Sequence, residues 1–164
     1  MPETGPIPDP GFAGDDGRAD PALRAALTAY AADPGSHLAV FAALQGTRVL
    51  VPVVAVLGEV EPDGAGLTHD KSSEMATALL TGRDGRRALL AFSGLDTLAA
   101  WRGDARPVPV TAALAARSAV EEGAEALVLD VAGPTTYAVE GELLDGLARG
   151  WTLARTDGGL AWVE

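Results

Sequence analysis

At 164 residues the chain fits one domain, long enough to bury roughly two-thirds of its unfolded surface without a covalent staple. It contains no cysteine, which excludes disulfides, thiolate–metal sites and cysteine nucleophiles. Its net charge is -11, from 23 acids against 12 bases, which sets it against direct contact with nucleic acid or anionic lipid.

Met1-Pro2-Glu3-Thr4 lacks the cationic and apolar regions of a signal peptide, and the longest apolar run, Val49 to Leu57, is too short to span a bilayer. A cytoplasmic, acidic protein is expected. Met1 to Ala19 is rich in Pro, Gly and Asp without periodicity and predicts a disordered arm. Residues 20–164 predict a single domain. Asp20-Pro21 marks an N-cap and first helical residue, with Leu23, Leu27 and Tyr30 as the stripe and Asp33-Pro34-Gly35 as the stop. Ser36 is placed to cap a second helix carrying Leu38, Phe41, Ala42 and Leu44, ended by Gly46.

Arg48 to Leu57 is almost all Val, Leu and Ala, a strand buried on both faces. Pro52 inside it lacks a ladder donor and predicts an edge position or a bulge. Glu59 to Ser73 is polar and Gly-rich, a surface loop. Met75–Thr81 and Arg87–Ser93 predict two strands joined at Asp84-Gly85, a hairpin whose central residues tolerate positive φ. Leu95 to Trp101 is a short helix ending near Gly103, and Pro107-Val108-Pro109-Val110 is extended. Thr111 caps a helix to about Glu122, with Leu114, Ala115 and Val120 turned inward. Ala126–Val131 and Thr136–Val139 predict strands, Glu142–Arg149 a helix stopped by Gly150, and the tail a hairpin around Thr156-Asp157-Gly158-Gly159. The sum is α+β: a mixed sheet with helices packed on it.

Reactive patterns are sparse. Lys71-Ser72 follows Gly64 and Gly66, but Asp70 and Ala65 stand where a phosphate loop needs glycine, and a strand follows rather than a helix. His37 and His69 are isolated, and Phe92-Ser93-Gly94 lacks the glycine of a nucleophile elbow. Arg102-Gly103-Asp104 reads as a turn after a helix. Arg83, Arg86 and Arg87 flank Asp84 as a basic knob, either a solvated tip or a contact for an anionic partner through arginine forks. Asp130 ends a buried strand, where folds of this class place either catalytic acids or turn caps. Trp101, Trp151 and Trp162 are expected in the core, with one available as an interface anchor.

From Leu38 to Gly150 the order of segments resembles the N-terminal domain of the SseB family. The likeness rests on Leu50-Val51-Pro52-Val53, Leu89-Leu90-Ala91-Phe92-Ser93 before Leu98-Ala99-Ala100-Trp101, and Pro107-Val108-Pro109-Val110. It continues through Glu122 to Asp130, Ala132-Gly133-Pro134 and the helix from Leu143 to Gly150. The composition suits an actinobacterial member. The family has no established enzymatic activity, so the resemblance supplies no catalytic residues; no cofactor and no metal-binding residues are expected. Many members carry a second, C-terminal domain, for which this sequence has no room.

Together these features predict a non-enzymatic interaction or regulatory domain. It would dock a protein through the sheet edge at Val51 to Val53, the knob at Arg83, Asp84, Arg86 and Arg87, or an acidic helix face, with homo-oligomerisation through an edge strand as a variant. One alternative is a small-ligand binder or enzyme using Asp130 with a nearby arginine. The other is a translation-linked or nucleic-acid-adjacent accessory protein, for which only the knob at Arg83, Arg86 and Arg87 speaks.

Overall fold

The computed structural model describes residues 12–57 and 73–164. Most of the loop expected over Glu59 to Ser73, with His69 and Lys71-Ser72, lies outside them, as do Met1 to Gly11. The elements in order are α1 (Pro21–Ala32), a 3-10 turn (Pro34–Ser36), α2 (His37–Gln45), β1 (Arg48–Leu57), β2 (Ser73–Thr77), β3 (Leu79–Thr81) and β4 (Arg87–Ala91). Then come α3 (Leu95–Trp101), β5 (Arg106–Thr111), α4 (Ala112–Glu121), β6 (Ala126–Leu129), β7 (Tyr137–Glu140), α5 (Gly141–Ala148), β8 (Thr152–Thr156) and β9 (Gly159–Val163). The fold is α+β. None of the described helices is long and apolar enough to cross a membrane.

Arg48 reaches back to the segment expected as an arm over Met1 to Ala19. The Arg48 guanidinium forks onto the Asp15 carboxylate through Nε and Nη2. The same side chain donates to the Arg18 carbonyl at 2.7 Å and the Ser93 carbonyl at 2.9 Å. The Arg48 hydrogen bond holds the Asp15 carboxyl below its ordinary pKa. Gly17 then passes against Leu95, with an added Cβ landing 2.2 Å from Leu95 Cδ1, so a side chain has no place there.

Asp20 caps α1, its carboxylate accepting from the Ala22 and Leu23 amides at 3.0 Å. Ser36 does not cap α2. Its hydroxyl donates to the Asp33 carbonyl, and the intervening 3-10 turn is capped by Asp33 through the Gly35 amide. α4 is capped by Thr111 as expected, through the Leu114 amide at 3.2 Å. Its buried face, however, is Ala112, Ala115, Ala116 and Ala119, and Leu114 and Val120 are 45% and 46% exposed. The reason is close approach: α4 lies against α5, β1 and β4, and only methyl-sized side chains fit between.

Strands β2-β1-β5 form one sheet, β3-β4-β6-β7 a second, and β8-β9 a hairpin. The β4–β6 pair is parallel and the others are antiparallel. The first two sheets meet at Leu50 and Phe92, which exchange two hydrogen bonds of 2.8 Å. The single strand expected over Met75–Thr81 is split at Ala78. Its first half pairs with β1 and its second with β4, and Ala78 itself links Pro52 and Leu90. In the turn after β3 only Gly85 takes positive φ, at 81°, whereas Asp84 does not. Asp84 instead accepts from the Arg86 amide at 3.1 Å, an Asx contact that stabilises the turn without the left-handed pair.

Pro52 lies on neither an edge nor a bulge, since β1 is the central strand of its sheet. Leu50 directs its amide at Phe92, and by two-residue alternation Pro52 faces the same way. That is where β1 changes partner from Phe92 to β2, so the missing donor falls at a break in the ladder. Val51 to Val53 is therefore interior and offers no edge. On the far side, the outward positions of β5 are Pro107 and Pro109, which pair with Pro52 and Leu50. This edge lacks two donors, and strand-to-strand association there is blocked.

Alternation divides the apolar residues between two cores. Val49, Val51, Leu89, Ala91, Leu127 and Leu129 face a large core completed by α1, α2, α4 and α5. Leu50, Leu90 and Phe92 face a smaller one with Ala78, Leu98 and Ala105. Burial on both faces explains why these strands read as unbroken apolar runs. α4 and α5 both end in Schellman turns: the Gly123 and Gly150 amides bond Val120 and Leu147, the Ala124 and Trp151 amides bond Ala119 and Gly146, and both glycines have φ near 70–77°.

Candidate functional site

Asp130 follows β6 and is 2% exposed. It is the single described non-glycine residue with positive φ, at 56°. This left-handed conformation, which Asp tolerates better than most residues, points its carboxylate back toward the end of β4. Oδ1 accepts from the Ser93 amide at 2.8 Å and the Thr97 hydroxyl at 2.7 Å, and Oδ2 accepts from the Ser93 hydroxyl at 2.6 Å. Its carbonyl takes the Gly133 amide at 2.9 Å and the Thr136 hydroxyl at 3.2 Å. Gly133 fits because a Cβ there would sit 3.1 Å from Asp130 Cβ. The side chain thus ties β4, the start of α3 and the turn after β6 into one node.

The node has little room for a reaction. Ser93 is 3% exposed, and the cavity beside it, lined by Arg24, Thr28, Thr97 and Pro134, holds about 70 Å³. Metabolite pockets run to roughly 300–1,000 Å³. Arg24, the arginine that lines this cavity, is engaged by Asp96 at 2.8 Å, and that pairing keeps the Asp96 carboxyl below its usual pKa.

The arginine knob lies at the other end of the sheet. Arg87 starts β4 whereas Asp130 follows the end of β6, and the two strands run parallel. Arg87 is level with Glu125, and Asp130 lies five residues further along, roughly 16 Å of strand. Arg86 spans two acids, Glu140 at 2.7 Å and Glu125 at 3.7 Å, which raise its pKa, Glu140 foremost. Arg83 and Asp84 are exposed at the tip. The structure does not bring the knob and Asp130 together. No His, Cys, Asp and Glu group among the described residues has the arrangement of a metal site.

A third place was not singled out by sequence. α2 reads His37-Leu-Ala-Val-Phe-Ala-Ala-Leu-Gln45, apolar on every side between its polar ends. Val40, Phe41 and Leu44 are buried, which leaves Leu38, Ala39 and Ala42 on a second apolar face. The C-terminal hairpin stands beside this face, forming a groove of about 240 Å³ with Leu153, Arg155 and Leu160 on the opposite wall. Gln45 fixes the hairpin: its amide donates to the Leu153 carbonyl at 3.3 Å and accepts from the Leu153 amide. Leu153 thus faces away from β9, and in the antiparallel register its partner Trp162 faces away from β8. Leu160, two residues before, does the same, and its side chain is 49% exposed. β9 therefore presents an outward edge of Leu160 and Trp162 backbone groups on the side away from β8, and the Leu160 side chain reaches the apolar groove. The available signal was the all-round apolar helix, which must dock on both sides.

The three tryptophans are half-buried rather than core residues. Trp101 stacks on Phe92 at 5.5 Å, and Trp162 meets Phe41 edge-on at 5.9 Å.

Comparison with protein-family models matches residues 23–145 to the SseB protein N-terminal domain. Neither the curated proteins nor the solved structures contain a match. The matched span runs from within α1 through most of α5, and the hairpin that walls the groove lies beyond it.

Proposed function

We propose that this chain, which belongs to the SseB family, is a non-enzymatic protein-interaction domain that adds an extended apolar segment of a partner to the outer edge of β9. The observation that carries this reading is Leu160, whose backbone belongs to the outer edge of β9 while its side chain walls the groove along α2. Backbone groups of Leu160 and Trp162 would supply the hydrogen bonds. Leu38, Ala39, Ala42 and Leu160 would receive alternate side chains of the added strand. The net charge of -11 favours a basic partner and disfavours a second copy of the chain. Two features weigh against the competing readings. The Asp130 carboxylate is committed to three donors beside a small cavity. Arg86, at the centre of the knob, is neutralised by Glu140 and Glu125.

The test is site-specific photo-crosslinking in native cytosol, with the reactive residue at Ala42 and a control at exposed Ala32 on α1. A discrete adduct from Ala42 that disappears in Leu160→Asp is expected. The same adducts from Ala32, or adducts indifferent to Leu160→Asp, would refute the assignment.

A further inference from the structure

A second cleft opens at the other end of the hairpin, where α5 meets β8 and β9. Its walls are Trp151, Trp162 and Gly146, with Glu142 and Asp145 at the rim, and it encloses about 340 Å³. The indole centroids are 6.5 Å apart with planes tilted by 53°. Local chemistry builds this arrangement. The Schellman turn at Gly150 delivers Trp151 to the end of α5, its amide bonded to the Gly146 carbonyl at 3.0 Å. Gly146 makes the space for Trp162, since a Cβ there would lie 2.3 Å from the ring. Glu142 and Asp145 are three residues apart on α5 and so share a face.

Two electron-rich ring faces beside two carboxylates form a receptor for an organic cation. The molecule already demonstrates the fit: the Arg149 guanidinium carbon lies over the Trp151 ring at 5.0 Å from its centroid. Among the described residues neither Arg149, Glu142 nor Asp145 has an ion-pair partner. The ring therefore holds one guanidinium while the adjacent carboxylates remain available for another.

We infer that this cleft binds an arginine side chain of a partner polypeptide, with the cation over the indole surface and paired with Glu142 and Asp145, and that Arg149 competes for the Trp151 face. The inference stands on this cleft alone and does not depend on the β9 groove.

The experiment follows the indole Nε1–H signals of the full chain by NMR during titration with N-acetyl-arginine methylamide. N-acetyl-citrulline methylamide is the neutral, near-isosteric control. A saturable shift of the Trp151 and Trp162 signals is expected at about millimolar concentration, with Trp101 unmoved and citrulline silent. Glu142→Gln with Asp145→Asn, both surface changes, should weaken binding several-fold, and Arg149→Ala should tighten it about 2–5-fold by vacating the ring. An arginine dipeptide flanked by neutral residues should bind at least as well as the free amide, which separates a peptide ligand from a free small cation. Three results would each overturn the inference: no shift up to about 50 mM arginine probe, an equal response to citrulline, or binding unaffected by the double carboxylate variant.

Discussion

Replacing Asp130 separates a structural node from a reactive acid. In Asp130→Ala the Thr97 hydroxyl keeps an acceptor in the Gly94 carbonyl at 3.1 Å. The Ser93 amide and hydroxyl do not, and both stay buried, since Ser93 is 3% exposed. Each orphaned buried donor costs about 1–3 kcal/mol, so the variant should lose about 3–5 kcal/mol, with the emptied volume included. For a chain of this size that lowers Tm by about 6–20 °C. Asp130→Asn is the informative control. Its carbonyl oxygen can still accept from the Ser93 amide and Thr97, and its NH2 can donate to a reoriented Ser93 hydroxyl. Asn also tolerates the left-handed backbone at φ 56°, so this variant should lose only about 1 kcal/mol. Urea unfolding followed by tryptophan emission measures both. Equal losses for Ala and Asn, or a loss below about 1 kcal/mol for Ala, would refute the node.

Three further outcomes follow from the same contacts. Arg48→Ala should cost about 2–4 kcal/mol and free residues 12–19 to rapid amide exchange, because one side chain holds Asp15, Arg18 and Ser93. Because the Asp15 pKa is lowered on folding, its contribution is present above the unfolded carboxyl pKa of about 4 and disappears as pH falls through the folded value; Arg48→Ala should flatten that acid limb. Burial, then the neighbouring Tyr30, pushes the Tyr137 phenol from 10.0 up to about 12, so the unfolded state deprotonates first; stability should fall between pH 10 and 12, by about 2–3 kcal/mol in all, and Tyr137→Phe should remove that slope in alkaline unfolding curves. Gly146→Val gains under about 1 kcal/mol of helix propensity but drives a side chain into Trp162, so a net loss of about 1–2 kcal/mol with altered tryptophan emission is expected.

Local signals were legible wherever one residue's chemistry decided the outcome. Asp20 with Pro21, Thr111 and Gly150 mark helix ends whose hydrogen bonds form as the residue types require. Partner choice was not legible. Nothing within Met75–Thr81 says that its halves serve different sheets, because Ala78 is ordinary in either. Pro52 was informative but ambiguous: a missing donor suits any break in a ladder, and only the change from Phe92 to β2 shows which one. The segment at Phe12 to Ala19 has a disordered composition, and nothing in it points to the hydrogen bonds that Arg48 makes with Asp15 and Arg18. α4 was misread because large apolar residues are assumed to turn inward, whereas close packing selected the alanine face. Of the candidate site residues, Asp130 was singled out by its place at a strand end. The β9 edge needs the register of the hairpin and the amide of Gln45, 108 residues distant in sequence from Leu153.

The most direct test of the interaction reading is backbone amide exchange at Leu160 and Trp162, in the free chain and in complex with the protein that crosslinks at Ala42. The account predicts fast exchange at both amides in the free chain and at least about tenfold slowing on binding, with the inward amides of Ala161 and Val163 little changed. A complex that forms while Leu160 and Trp162 continue to exchange at their free rates would contradict it.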